Sequence, residues 1–73
     1  MPKLPVLSGR EVVRGLSWLG FEQVGQSGSH IKLRRSTVTA IVPNHREIRI
    51  GTLGSILKQA HITIEELMAA LSH

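Results

Sequence analysis

The spacing of apolar residues predicts that the chain begins with an amphipathic helix from Gly9 to Leu19. Ser8 and Glu11 have the spacing of a capping box, in which the serine oxygen and the glutamate satisfy the first free amides. Gly20 supplies the left-handed residue that ends the helix. The predicted apolar face consists of Val12, Leu16 and Leu19. Trp18 falls outside this face, so we expect it to cover the flank of the core, with an exposed contact residue as the alternative.

After the first helix the pattern becomes extended. It predicts three short strands, Glu22–Gln26, His30–Arg34 and Val38–Val42. The last two are expected to form a hairpin around a tight turn at residues 35–37. If Ile31 and Leu33 face the core, Leu33 must pair with Val38 or with Ala40, since a slip of one residue would bury Lys32. The opposite face then carries His30, Lys32, Arg34, Thr39 and Ile41.

The remaining chain predicts a loop and two more helices. Pro43 ends the third strand, and His45 in the loop after it is expected to come close to His30. Ile48 and Ile50 alternate with charged residues and predict a further extended segment. The next helix is expected to begin at Thr52 and to stop around His61, and a capping box at residues 63–66 predicts a short third helix.

The predicted order of helix, three strands, helix and short helix indicates an α+β fold. A length of 73 residues allows one domain, which we place at residues 1–73.

The net charge of +4 is concentrated in the middle of the chain. The cations between His30 and Ile50 are Lys32, Arg34, Arg35, Arg46 and Arg49. The only acid in that stretch is Glu47. A basic region of this kind suits a polyanion such as nucleic acid, or an acidic protein that covers the same surface. An ordinary solvated surface is the alternative.

Several other classes of function have little support in the sequence. The chain has no cysteine, and its four histidines lie too far apart to share a local metal site, so we expect neither a metal nor a small-molecule cofactor. Neither a phosphate loop nor a serine-hydrolase motif is present. With no signal-like segment and no apolar run near ~20 residues, we expect a soluble cytoplasmic protein that makes no membrane contact.

His30 is the main candidate for chemistry. It follows Gly28 and Ser29 directly, and strand periodicity puts it on the same face as Lys32 and Arg34. RNA carries its own nucleophile in the 2′-hydroxyl, so its cleavage requires proton transfer, alignment and stabilisation of charge on the phosphate. A histidine beside two cations is chemically sufficient for that. From the residues alone, however, the favoured interpretation is that His30 is simply a polar residue at the start of a strand, because a lone histidine is a weak signal.

Several short motifs together resemble the HicA family of toxins from bacterial toxin–antitoxin systems. They follow one another from about Leu7 to Leu67, and their order makes the set more specific than any one of them. The motifs are Ser8-Gly9, Leu19-Gly20-Phe21, Gly28-Ser29-His30, Pro43-Asn44-His45, Gly51-Thr52-Leu53 and Ile56-Leu57-Lys58-Gln59-Ala60.

The resemblance implies a fold similar to the double-stranded-RNA-binding domain and an endoribonuclease that cleaves mRNA and is neutralised by a HicB-type antitoxin. It implies that His30 is the catalytic histidine, acting without a metal. The residues expected to contact RNA are Gly28, Ser29, Lys32, Arg34, Arg35, His45 and Arg46. A non-catalytic RNA- or protein-binding module of the same fold is the alternative function.

Overall fold

The computed structural model describes residues 4–73 of the chain. Its elements are α1 (Gly9–Trp18), β1 (Glu22–Ser27), β2 (His30–Arg35), β3 (Val38–Pro43), α2 (Ile50–Ala60) and α3 (Ile64–Leu71). The predicted α+β class and the predicted order of elements are confirmed.

The three strands form one antiparallel sheet in the order β1-β2-β3. Leu33 lies opposite Ala40, which is one of the two registers predicted from burial. Ile31, Leu33, Ala40 and Val42 are buried, whereas His30, Lys32 and Arg34 are exposed on the other side. We call this second side, with its three polar residues, the open sheet face.

β1 is the most exposed strand of the sheet. All six of its residues are exposed, and the register shifts by one residue between Gln23 and Gly25, which is a β-bulge. Gly25 lies at this bulge, and glycine lowers strand stability and commonly accompanies such irregularities.

The helices pack on the buried side of the sheet. α1 and α2 both contact β3, and α3 packs against α1. Gly15 permits the α1–α3 contact, since a Cβ there would lie 2.5 Å from Leu67 Cδ1 and 3.4 Å from Leu71. The largest fully buried side chains are Leu16, Leu33, Leu53, Ile56, Leu67, Val12 and Val42. Burial of each such side chain contributes about 1.5–3 kcal/mol, so this side of the sheet is the source of stability.

None of the helices within residues 4–73 has the length and apolar character needed to cross a membrane.

The start of α2 differs from the prediction. The helix begins at Ile50, with Arg49 as its N-cap, so the expectation of a start at Thr52 after an extended Ile50 is wrong. Ile48 pairs with Leu7 in an isolated bridge, in which the Ile48 amide donates to the Leu7 carbonyl at 2.7 Å. This long-range pairing ends the extended segment at Ile48, and the chain turns directly into the helix. The predicted end of α2 around His61 is confirmed, because the helix ends at Ala60 and His61 is left-handed with a φ of 57°.

Trp18 lies on the surface and not over the flank of the core. It is 62% exposed, so the flank interpretation is wrong. Its ring stacks on the ring of His73, with centroids 4.5 Å apart. The C-terminal histidine thus covers part of the indole that the core leaves exposed.

The predicted capping boxes of α1 and α3 are both confirmed. At α1 the Ser8 amide donates to Glu11 Oε1 at 2.9 Å, and the Glu11 amide donates to Ser8 Oγ at 3.1 Å. The backbone amide of Ser8, followed by its hydroxyl, holds the pKa of the Glu11 carboxyl below its ordinary value. Ionised Glu11 therefore stabilises the folded chain.

The capping box predicts how stability changes with acid. A lowered folded-state pKa means that the contribution of Glu11 is present above its unfolded pKa, about 4.3, and is lost as pH falls through the folded pKa. Between about pH 6 and about pH 3, the free energy of unfolding of Glu11→Gln should therefore fall less than that of the unmodified chain. Urea unfolding over this range measures it. Glu65 lies outside both capping boxes and serves as the control. If Glu65→Gln reduced the pH dependence of the free energy of unfolding by the same amount, the capping box would not be the cause.

Candidate functional site

Both candidate histidines line one surface cleft. This histidine cleft has a volume of about 520 Å³ and lies between the end of the sheet and the start of α2. Its lining residues are His30, Ile41, Pro43, His45, Glu47, Ile48, Arg49, Thr52 and Gln59. His30 and His45 therefore border the same cleft.

The two-residue turn before β2 places His30 at the cleft. Gly28 has a φ of 58°, a conformation that glycine adopts without steric cost, and His30 is the first residue of the strand that follows. Pro43 lies opposite His30 in the sheet register. The imidazole therefore stands at the end of the sheet, where both the turn and the loop after β3 leave it exposed.

The open sheet face continues from the cleft toward two cations. Lys32 lies opposite Ile41, a cleft residue, and Arg34 lies opposite Thr39. Both cations are exposed. The structure therefore brings His30, Lys32 and Arg34 onto one surface, as the strand pattern predicts.

The loop that carries His45 is held by backbone hydrogen bonds from two directions. The Asn44 amide donates to the Ser29 carbonyl at 2.6 Å, and the Gly9 amide donates to the His45 carbonyl at 2.8 Å. A Cβ on Gly9 would overlap the Pro43 carbonyl oxygen and would lie only 2.9 Å from Asn44 Cα. The first residue of α1 must therefore be glycine for the loop to pack where it does.

The far wall of the cleft contains Arg49, Thr52 and Gln59, which were not among the predicted site residues. Arg49 is the N-cap of α2 and makes no side-chain capping hydrogen bond, and Thr52 lies in the first turn of that helix. Gln59 Oε1 accepts from the Ile41 amide at 2.9 Å, so this side chain ties α2 to the edge of β3. An arginine before a helix start is a weak signal for Arg49, and no local pattern distinguishes Gln59.

Arg35 lies apart from the other predicted RNA-binding residues. Strand alternation puts it on the same side as Leu33, where its Nη1 donates to the Leu19 carbonyl at 2.8 Å. Its guanidinium also lies 4.6 Å from the centroid of the Phe21 ring, a cation–π contact. These contacts hold the end of α1 against the sheet, which gives Arg35 a structural role.

Arg46 also lies outside the histidine cleft. It is exposed and lines a neighbouring depression of about 390 Å³ together with Ser8, Arg10, Asn44 and His45. His45 is common to both depressions. Arg46 therefore reaches the site from the side of α1 and not from the open sheet face.

The side chains of the two histidines make no hydrogen bond within residues 4–73, and both are exposed. Their ring nitrogens are therefore accessible to a bound molecule. In the same described part of the chain, no group of three or more histidine, aspartate or glutamate side chains is arranged to hold a metal ion. The cleft thus offers imidazole nitrogens together with Arg49 and Glu47 in its lining, and Lys32 and Arg34 lie on the adjoining sheet face. Imidazole groups beside cations are suited to proton transfer next to an anion.

The fold and this cleft define a small basic α+β domain in which His30 and His45 share one end of the sheet. The family model described as the HicA toxin of bacterial toxin–antitoxin systems matches residues 9–62. The chain belongs to the HicA toxin family. Comparison with curated proteins finds no match.

The contact of Gly9 with the loop makes a testable prediction. Gly9→Ala should destabilise the fold by about 1–3 kcal/mol, because the methyl group forces the 43–45 loop away from α1. Urea unfolding measures the loss, and the NMR signals of His45 should shift with the loop.

Gly54→Ala is the matched control. A Cβ on this helical glycine meets nothing within 4 Å, so alanine should be neutral or should stabilise α2 by about 0.5–1 kcal/mol. If both substitutions changed the free energy of unfolding in the same direction and by the same amount, helix propensity would account for the effect of Gly9→Ala. The close contact would then not be its cause.

Proposed function

We propose that this HicA-family toxin is an endoribonuclease that cleaves mRNA, with His30 as the general acid or base. The observation that carries the proposal is the shared cleft of His30 and His45, which adjoins the cations of the open sheet face. Membership of a toxin family supports it independently. The reaction takes place in the cytoplasm, where mRNA is translated.

The proposed reaction uses the nucleophile of RNA itself. The 2′-hydroxyl oxygen attacks the adjacent phosphorus, and the bond from that phosphorus to the 5′-oxygen of the next nucleotide breaks. One imidazole takes the 2′-hydroxyl proton, and an imidazolium gives a proton to the leaving oxygen. His30 fills one of these roles, and His45 is within the same cleft to fill the other. The products are a 2′,3′-cyclic phosphate and a 5′-hydroxyl.

The neighbouring residues supply binding and charge stabilisation. Lys32 and Arg34 neutralise phosphates of the substrate from the open sheet face, and Arg46 does so from the α1 side. Gly28 and Ser29 leave the turn open for close approach of the RNA backbone, since a Cβ at Gly28 would meet no atom within 4 Å beyond its immediate chain neighbours. Arg35 contributes indirectly, because its guanidinium is already occupied by Leu19 and Phe21.

We further propose that a HicB-type antitoxin neutralises the toxin by covering the open sheet face. The exposed pair of cations there suits an acidic protein as well as RNA. One surface that binds both partners would make inhibition a direct competition, with no conformational change required.

The catalytic assignment predicts a large loss of activity in His30→Ala. A positioned acid or base contributes roughly 10²–10⁴ in rate, so cleavage of a defined RNA should slow by about that factor while the fold is retained. His30 is exposed and outside the core, so thermal unfolding should change little. Cleavage is measured with purified protein, and growth arrest with the induced gene in a host without the antitoxin.

His73→Ala is the control, because it removes a histidine that stacks on Trp18 and does not line the cleft. Equal cleavage by wild type and His30→Ala would refute the catalytic role. If wild-type protein bound RNA with strong salt dependence and left it intact, the non-catalytic binding module would be the better assignment.

The antitoxin proposal predicts sensitivity to charge reversal. Lys32→Glu combined with Arg34→Glu should weaken antitoxin binding at least tenfold at low salt, because attraction at the open sheet face becomes repulsion. Lys58→Glu reverses an exposed cation that does not line the histidine cleft and should have little effect. Titration by calorimetry measures both affinities, and unchanged binding of the double variant would place the antitoxin elsewhere.

A further inference from the structure

Two more depressions continue from the histidine cleft toward α1. The first is the 390 Å³ depression beside Arg46, and the second is a groove of about 530 Å³ between α1 and the sheet. The groove is lined by Arg10, Glu11, Val13, Arg14, Gln23, Ile31 and Asn44. His45 is common to the cleft and the first depression, and Arg10 and Asn44 are common to the first depression and the groove. The three depressions therefore adjoin one another around the end of the sheet, and we call them together the trough.

The α1 part of this trough presents two exposed arginines, of which Arg14 also interacts through its charge with the Glu11 carboxylate and lowers its pKa. Arg10 and Arg14 are exposed and four residues apart, so they lie on one face of α1. Within residues 4–73, neither guanidinium donates a hydrogen bond to the protein, in contrast to Arg35. Their charge is therefore accessible to a ligand.

One acid shares the groove with these arginines. The carboxylate of Glu11 accepts from the Ser8 amide in the capping box, so its oxygen is directed to the start of the helix. Arg10, Arg14 and Arg46 outnumber it along the trough. The trough beyond His45 therefore remains positive.

We infer that Arg10 and Arg14, with Asn44 between them and His45, form a second phosphate-binding subsite for the RNA strand. This inference rests on the proposed function, since it extends the path of the same substrate from the cleft to α1. Guanidinium groups bind phosphate oxygens in a bidentate manner, and a row of adjoining depressions with cations in it suits a flexible single strand with regularly repeated charges. An acidic protein segment would not need the row to begin at the histidine cleft.

The subsite makes activity depend on the length of the substrate. An RNA just long enough to fill the histidine cleft does not reach α1, whereas a longer single strand does. Arg10→Gln and Arg14→Gln, alone and combined, should raise KM for the longer RNA and leave cleavage of the short one unchanged. Glutamine keeps a high helix propensity, and both positions are exposed, so α1 should remain folded.

The salt dependence of binding supplies a second, quantitative measurement. Binding of single-stranded RNA to His30→Ala protein is followed by fluorescence anisotropy from low to moderate salt. Each phosphate contact contributes about 0.7 to the slope of log Kd against log salt, so the double arginine variant should reduce the slope by about 1.4. Lys58→Gln removes one positive charge, as each single arginine variant does, but from a site outside the trough, so it should reduce the slope by much less than either single variant.

The outcomes separate this inference from the proposed function. If wild-type protein cleaves no RNA, the proposed function fails, yet the anisotropy slopes still test the subsite. If the double variant behaves like Lys58→Gln in slope and KM, the subsite is refuted. It is refuted equally if the double variant loses affinity for the antitoxin while its RNA binding is unchanged.

Discussion

The close contact of Gly9 with the loop at residues 43–45 is the constraint on which the functional end of the molecule depends. It joins the first turn of α1 to the backbone that carries His45, through a hydrogen bond of 2.8 Å and a gap too small for a Cβ. The same loop is bonded to Ser29, immediately before His30. One network of backbone hydrogen bonds therefore determines where both histidines lie relative to the core. It also determines the position of the depressions that lead to α1.

The fold uses its arginines in two ways, and strand alternation decides which. Arg35 is one residue beyond Arg34 and points to the opposite side of the sheet, where the Leu19 carbonyl and the Phe21 ring occupy it. Arg34 remains on the open sheet face. Of two adjacent arginines, one thus stabilises the fold and the other is accessible to a ligand. The number of basic residues in the sequence therefore overestimates the number of cations available to a polyanion.

Local patterns predicted the parts of the fold that local physics determines. Burial restricted the partner of Leu33 to Val38 or Ala40, of which the structure has Ala40, and the capping boxes predicted the starts of α1 and α3. The start of α2 was not predictable in this way, because it depends on the bridge between Ile48 and Leu7, forty-one residues apart. Of the candidate site, strand periodicity grouped His30 with Lys32, whereas Gln59 reaches the cleft only through tertiary packing.

The position of the candidate site also determines how its substitutions are to be interpreted. His30 and His45 are exposed and contribute little to the core, so their replacement should leave stability within about 0.5 kcal/mol. Gly9 has no reactive group, yet it fixes the loop that positions His45. A loss of activity on substitution of either histidine therefore indicates a role in the chemistry. The same loss on substitution of Gly9 indicates that the loop has moved. In a domain this small, where the core lies on one side of the sheet, that separation allows the two causes to be measured independently.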